Sequence, residues 1–358
     1  MAGERKKMML ELRNISRRFA DFSLQDVSFL VERGDYFILL GESGAGKSMV
    51  LETIAGLTAP DSGYMFLDGR DITCEKIQNR RIGLVFQDHA VFPHLTVGEN
   101  IGYSLHSARL SREKKHAKVK AIANELGIGE LLARRPGTLS GGELQRVALG
   151  RTLIQEPSIL LLDEPLSSLD TRLKGDLRRL LRAIHRKGQT ILHVTHDYEE
   201  ALSLGTKIAV IHKGMIIQSG TPADVFHHPK SEFVANFIGV KNFFPANLVT
   251  EDQVVFAYIC NNIRVRIVTD VPGGEGFILI RGEDILLSTL PVETSATNNF
   301  KGIIEEIVPN AGGIDVTINT GIELHALITR DSLEKLGLRA GNTCWVHFKA
   351  TAVRFIIN

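Results

Sequence analysis

The stretch Tyr36-Phe37-Ile38-Leu39-Leu40-Gly41-Glu42-Ser43-Gly44-Ala45-Gly46-Lys47-Ser48 decides the fold. Its unbroken apolar run reads as a strand buried on both faces of a parallel sheet. The run enters the spacing GxxxxGKS, and the mostly apolar stretch from Met49 to Leu57 then reads as a helix. Strand, glycine loop and helix in that order are the setting a P-loop requires. The glycines let backbone N–H groups turn inward around phosphate oxygens, and the helix N-terminus adds its positive dipole end. Gly41, Glu42, Ser43, Gly44, Ala45 and Gly46 would form the cradle. Lys47 would reach the β- and γ-phosphates of a bound nucleotide, and the Ser48 hydroxyl would ligate Mg²⁺.

Two similar apolar runs lie downstream, Ile159-Leu160-Leu161-Leu162 and Thr190-Ile191-Leu192-His193-Val194-Thr195. Between them, Leu173, Leu177, Leu180, Leu181 and Ile184 fall on one helical stripe from Arg172 to Lys187. This alternation predicts a doubly wound α/β domain. The first run ends in Asp163-Glu164, and carboxylates at the carboxyl end of a parallel strand point into the ligand crevice. Asp163 suits support of Mg²⁺, while Glu164 is placed to polarise an attacking water. The second run ends at His196; a lone histidine there is usually structural, but its neighbours favour a role. Leu139-Ser140-Gly141-Gly142-Glu143 has capping-box spacing and opens another helix. Alone it is only a helix start. Beside a P-loop, Gly141 and Gly142 offer open backbone donors to an anion.

Composition excludes several classes. Lys+Arg 42 against Asp+Glu 41 leaves a net charge of +1, which supplies no bulk attraction to nucleic acid. The basic stretch from Arg109 to Lys120 lacks aromatics and reads as one solvated helix. Cys74, Cys260 and Cys344 are widely spaced, making neither a disulfide framework nor a CxxC metal site. No run reaches the ~18 apolar residues that cross a bilayer. Between Gln87 and Leu139 the pattern is helical and polar, and after about residue 239 helical periodicity fades into short strands. Turns follow at Asn261-Asn262, Pro272-Gly273-Gly274 and Ala311-Gly312-Gly313. A separate all-β domain is expected there, joined near Asn242 to Pro245.

In order and spacing, residues 8–239 resemble an ATP-binding cassette (ABC) ATPase. The Walker A match is Gly41–Ser48, the signature Leu139–Glu143 and the Walker B match Ile159–Glu164. The Q-loop glutamine falls on Gln87, the D-loop on Ser168-Leu169-Asp170 and the switch histidine on His196. Phe19 takes the place of the family's adenine-stacking aromatic, usually Tyr, and keeps the π-face. The resemblance implies a P-loop NTPase domain over residues 1–239, with a parallel-sheet core and a helical subdomain at about 88–150. It implies a head-to-tail homodimer in which ATP lies between Lys47 of one chain and Ser140 and Gly142 of the other. Glu164, His196 and Gln87 become catalytic, and Ser48, Gln87 and Asp163 hold Mg²⁺.

With one P-loop, no fused membrane helices and no long coiled coil, the pattern resembles a separate importer ATPase. Such a subunit sits peripherally on the cytoplasmic face of the membrane. It serves a permease dimer and, through it, an external solute-binding protein.

The tail, residues 240–358, narrows the cargo. Ser295-Ala296-Thr297-Asn298-Asn299-Phe300-Lys301-Gly302 resembles the opening of a Mop (molybdenum–pterin-binding type) module, and Leu324–Leu338 and His347–Val353 resemble its middle and end. An OB/Mop-like barrel is therefore expected, with the module at about 293–358. Such modules bind molybdate or tungstate, which would fall to Ser295, Asn298, Lys349 and Thr351 as a feedback site. The family's Arg is Thr297 here, removing a cation. Competing readings are an importer ATPase for sulfate, ferric iron, a polyamine or a sugar with a purely structural barrel, and an oxyanion-binding protein with an inactive cassette.

Overall fold

The computed structural model describes residues 8–19, 21–107, 109–167, 169–260, 263–310 and 312–357. Ser168, Asn261, Asn262 and Ala311, singled out above, lie outside the described residues. The chain divides into two compact units, the first ending at His227 and the second starting at His228.

In the first unit β1 (Met8–Arg18) pairs with β2 (Ser23–Glu32), and β3 (Tyr36–Leu40) leads through the glycine loop to α1 (Lys47–Ala55). Next come β4 (Ser62–Leu67), β5 (Arg70–Asp71), β6 (Ile82–Val85), α2 (Val97–Gly102), α3 (Arg112–Glu125) and α4 (Gly141–Leu153). The unit closes with β7 (Ile159–Asp163), α5 (Thr171–Arg186), β8 (Thr190–Thr195), α6 (Tyr198–Leu204), β9 (Lys207–His212), β10 (Met215–Gly220) and α7 (Pro222–His227). The central sheet has the order β10-β9-β3-β8-β7-β6. Its pairs are parallel except β10 with β9. A smaller antiparallel sheet has the order β2-β1-β4-β5.

Two-sided burial explains why β3 is apolar throughout. Phe37 and Leu39 enter a cluster with Met9, Leu12 and Val27 of the antiparallel sheet and Val50 and Ile54 of α1. With a side-chain period of two, Tyr36, Ile38 and Leu40 face the opposite side, where the Tyr36 ring meets His185 of α5 edge-on at 5.5 Å. Parallel pairing brings the carboxyl ends of β3, β6, β7 and β8 to one edge. The glycine loop, Gln87, Asp163-Glu164 and His196 all follow from that edge.

The second unit begins with α8 (Glu232–Phe237), then β11 (Asn242–Glu251), β12 (Val254–Ile259), β13 (Ile263–Ile267) and β14 (Gly274–Ile280). After the short β15 (Leu286–Ser288) come β16 (Asn298–Asn310), β17 (Gly313–Asn319), β18 (Glu323–Ile328), α9 (Arg330–Leu336), β19 (Thr343–Phe348) and β20 (Arg354–Ile357). Two five-stranded antiparallel sheets result, β13-β12-β11-β14-β20 and β15-β19-β16-β17-β18. The unit is β-rich, as expected, with α8 ahead of the sheets and α9 between β18 and β19. Its halves repeat one meander, and each lends its last short strand to the other's sheet: β15 pairs with β19 and β20 with β14. Ile278, Ile280, Val316, Ile318, Val346 and Phe348 share its core.

Candidate functional site

The glycine loop is shaped by close approach. A Cβ on Gly41 would lie 2.4 Å from the Ile211 carbonyl oxygen, and one on Gly46 2.8 Å from the Phe22 ring. Gly44 and Gly46 have φ of +81° and +100°, open to glycine and strained for other residues. Gly46 is also the N-cap of α1 and offers no side chain to it. The first amides of the helix therefore remain available to an anion. Lys47 is 5% exposed. Its Nζ donates to the carbonyls of Gly41 and Glu42, each at 2.9 Å, and lies 3.6 Å from Glu164 Oε1. Burial lowers the Lys47 pKa, while the charge of Glu164 opposes the shift.

Across the crevice, Ser48 Oγ donates to Asp163 Oδ1 at 3.1 Å. Burial raises the Asp163 pKa, and the bond from Ser48 works against it. A hydroxyl and a carboxylate beside an anion cradle form the hard-oxygen donor set that suits Mg²⁺. With the free amides, the ammonium and the glycine clearances, these residues fit a magnesium–nucleotide phosphate chain. Glu164 Oε1 lies 3.1 Å from His196 Nδ1. Gln87 is exposed two residues beyond β6, whose end pairs in register with Leu162. Thus the parallel edge gathers Lys47, Ser48, Asp163, Glu164 and His196 through direct contacts.

Other candidates stand apart. Ser140 caps α4 with its expected capping box: its Oγ accepts from Glu143 N, and its own N donates to Glu143 Oε2 at 2.7 Å. The Ser140 backbone bond is also the main reason that the Glu143 pKa is lowered. Among the described residues, no hydrogen bond of Ser140–Glu143 reaches Gly41–Ser48. Asp170 caps α5, accepting from Leu173 N at 2.9 Å. Phe19 is half-buried under Arg17, whose guanidinium carbon lies 5.7 Å from its ring centre. Phe22 carries no sequence signal beyond a turn, yet its ring is the one packed over Gly46.

In the second unit Ser295, Lys349 and Thr351 are exposed, and Asn298 pairs in register with Phe348, the residue before Lys349. Asn298 itself has other employment. At 3% exposure, its Oδ1 accepts from Arg266 N at 2.7 Å and its Nδ2 donates to Arg266 O at 2.9 Å. Asn242, at the equivalent first position of β11, clasps the backbone of His325 the same way. Both amides act as inter-sheet staples, a role the sequence does not announce.

The ABC transporter family matches residues 24–167, and the TOBE domain family matches residues 294–355. The chain is 42% identical over 350 residues to the molybdate/tungstate import ATP-binding protein WtpC of Pyrococcus abyssi, covering 97% of this chain and 99% of that one. It is 35% identical to the spermidine/putrescine import ATP-binding protein PotA of Nitrosomonas eutropha, covering 90% and 92%. Among solved structures, cbiO1 from Clostridium perfringens, part of the ABC transporter complex cbiONQ, aligns with a TM-score of 0.58. That match has 27% identity and covers 62% of this chain and 92% of that one.

Proposed function

The chain belongs to the import ATP-binding proteins of ABC transporters, and on that premise we propose that it energises uptake of molybdate and tungstate. As an importer ATPase it works with a membrane permease. Among the described residues no helix is long and apolar enough to cross a membrane. The observation that carries the cargo reading is the end-to-end likeness to a molybdate/tungstate import subunit, tail included.

In this reading the amides of Gly44 to Ser48 and the Lys47 ammonium bind the phosphates. Ser48, Asp163 and Gln87 hold Mg²⁺, which neutralises phosphate charge when bound. Glu164 orients the attacking water and His196 steadies the group being transferred, so catalysis is mostly positioning and electrostatics. Phe19 stacks on the adenine. Two chains associate head to tail, with Ser140–Glu143 of one closing over the loop of the other and Asp170 near the joint. Closure and release drive the permease, which takes cargo from an external binding protein. Ser295, Lys349 and Thr351 form an oxyanion site that restrains transport when internal oxyanion is plentiful.

The test is isothermal titration of the full chain with molybdate, tungstate and sulfate, with and without Lys349→Ala. Heat from the first two only, lost in the variant, supports cargo class and feedback site together. No binding, with ATP hydrolysis unaffected by millimolar molybdate, removes the feedback site and leaves the barrel as scaffold.

A further inference from the structure

Beneath the candidate site runs a buried polar row whose side chains come from β3, β8 and α6. Tyr36 and His193 are fully buried, and Thr195 and Glu200 are each 2% exposed. The Tyr36 hydroxyl lies 3.0 Å from His193 Nδ1, and His193 Nε2 faces Glu200 Oε2 at 3.4 Å. Thr195 Oγ1 donates to the same carboxylate oxygen at 2.7 Å. Burial favours the neutral Glu200 acid, but His193 and Thr195 outweigh it and lower its pKa.

The Thr195 hydroxyl has a second bond: it accepts from Asp197 N at 3.0 Å. It therefore joins the residues on either side of His196. Its hydrogen is aimed at Glu200, which leaves a lone pair for that amide. The Thr195 carbonyl accepts from Gly41 N at 3.3 Å, tying the same residue to the glycine loop. The His196 side chain is 53% exposed, and among the described residues its side-chain contact is with Glu164 Oε1. Its placement thus depends on its backbone, and that backbone is bracketed by one hydroxyl fixed by a buried carboxylate.

We infer that Thr195 and Glu200 are positioning residues for ATP hydrolysis, holding His196 at hydrogen-bond distance from Glu164 through the Thr195 hydroxyl. This rests on the role given to His196 above. The row beyond Glu200 supports it: His193 and Tyr36 link the carboxylate to β3, the strand that enters the glycine loop. Loop and histidine are thereby kept in one frame.

Steady-state ATP hydrolysis by the full chain tests this with Thr195→Val, which keeps the shape and removes the hydroxyl, and Thr195→Ser, which restores it. Thr195→Val should lower kcat about tenfold or more, the scale for losing a bond to a charged group, with KM for ATP little changed. Thr195→Ser should stay near the parent. In a His196→Ala background, Thr195→Val should cost nothing more, because its effect passes through the absent ring. Glu200→Gln, which keeps the shape without the charge, should lower kcat severalfold at unchanged KM. An unchanged kcat in Thr195→Val, or an equal loss with and without His196, overturns the inference. Full turnover in His196→Ala alone overturns instead the reading of His196 on which it rests.

Discussion

Glu164 Oε1 stands 3.1 Å from Nδ1 of His196, a residue 32 positions further along the chain. Glu164 has a φ of +42°, a left-handed conformation uncommon outside glycine. The surroundings hold it there: its N donates to Val194 O at 3.0 Å, and its carbonyl accepts from Ser167 Oγ at 3.0 Å. Such strain, of the order of 1 kcal/mol, persists only where neighbours over-determine it. Here it accompanies a carboxylate placed between a lysine and a histidine.

Glu164→Gln should preserve shape and nucleotide binding while removing the water-polarising charge. Turnover should fall by about 10²- to 10⁴-fold, the usual span for a positioned base. Phosphate release and binding of a fluorescent ATP analogue check the two halves. Unchanged release would take Glu164 out of the reaction.

Gly46→Ala meets a φ of +100° and, at the new Cβ, the Phe22 ring at 2.8 Å with Leu24 Cδ2 at 2.9 Å. Gly34→Ala meets only the first, with φ +78° and open space around it. Gly46→Ala should cost about 2–4 kcal/mol by urea unfolding and weaken nucleotide binding at least tenfold. Gly34→Ala should cost about 1 kcal/mol and leave binding intact. Equal costs at the two positions would dismiss the Phe22 contact.

Asn298→Ala should destabilise the second unit by about 1–3 kcal/mol, because it leaves the Arg266 N–H and C=O unpaired. Asn242→Ala should do the same through His325. Chemical denaturation of the full chain followed by Trp345 fluorescence reports both. If Asn298→Ala leaves the midpoint unmoved but removes molybdate binding, the amide is a ligand group and the staple is incidental.

Burial pushes the Cys344 thiol up to about 11, whereas Cys74 and Cys260 are exposed. A disulfide reagent at pH 8 should modify Cys74 and Cys260 in the native chain and reach Cys344 only in denaturant. The unfolded thiol ionises near pH 8.5. Cys344 therefore contributes stability that is complete below that pH and is lost as pH rises toward 11. Cys344→Val should flatten the alkaline side of the stability profile. Native labelling of Cys344 at pH 8 would contradict its burial.

Much of the site is legible along the chain because each part of it is local. Gly41–Ser48 announces a cradle through glycine freedom between a strand and a helix. The spacing of Ser140 and Glu143 announces a capping box, which is present. The apolar runs announce strands through two-sided burial, and β3, β7 and β8 lie where those runs are. Asn298 shows where such reading stops. Its place in a motif suggests a ligand group, but its partner is the backbone of a different strand 32 residues away.

The sequence by itself determined the loop, the caps, the strand ends and the change to β structure in the tail, since propensity, turn chemistry and side-chain period act between near neighbours. Only the tertiary structure decided which strand ends share an edge, that Phe22 covers Gly46, and that His196 meets Glu164. The shared edge, and with it the Glu164–His196 contact, depends on the order β10-β9-β3-β8-β7-β6. That order is fixed by how buried faces pack across the whole unit, which no short stretch of chain encodes.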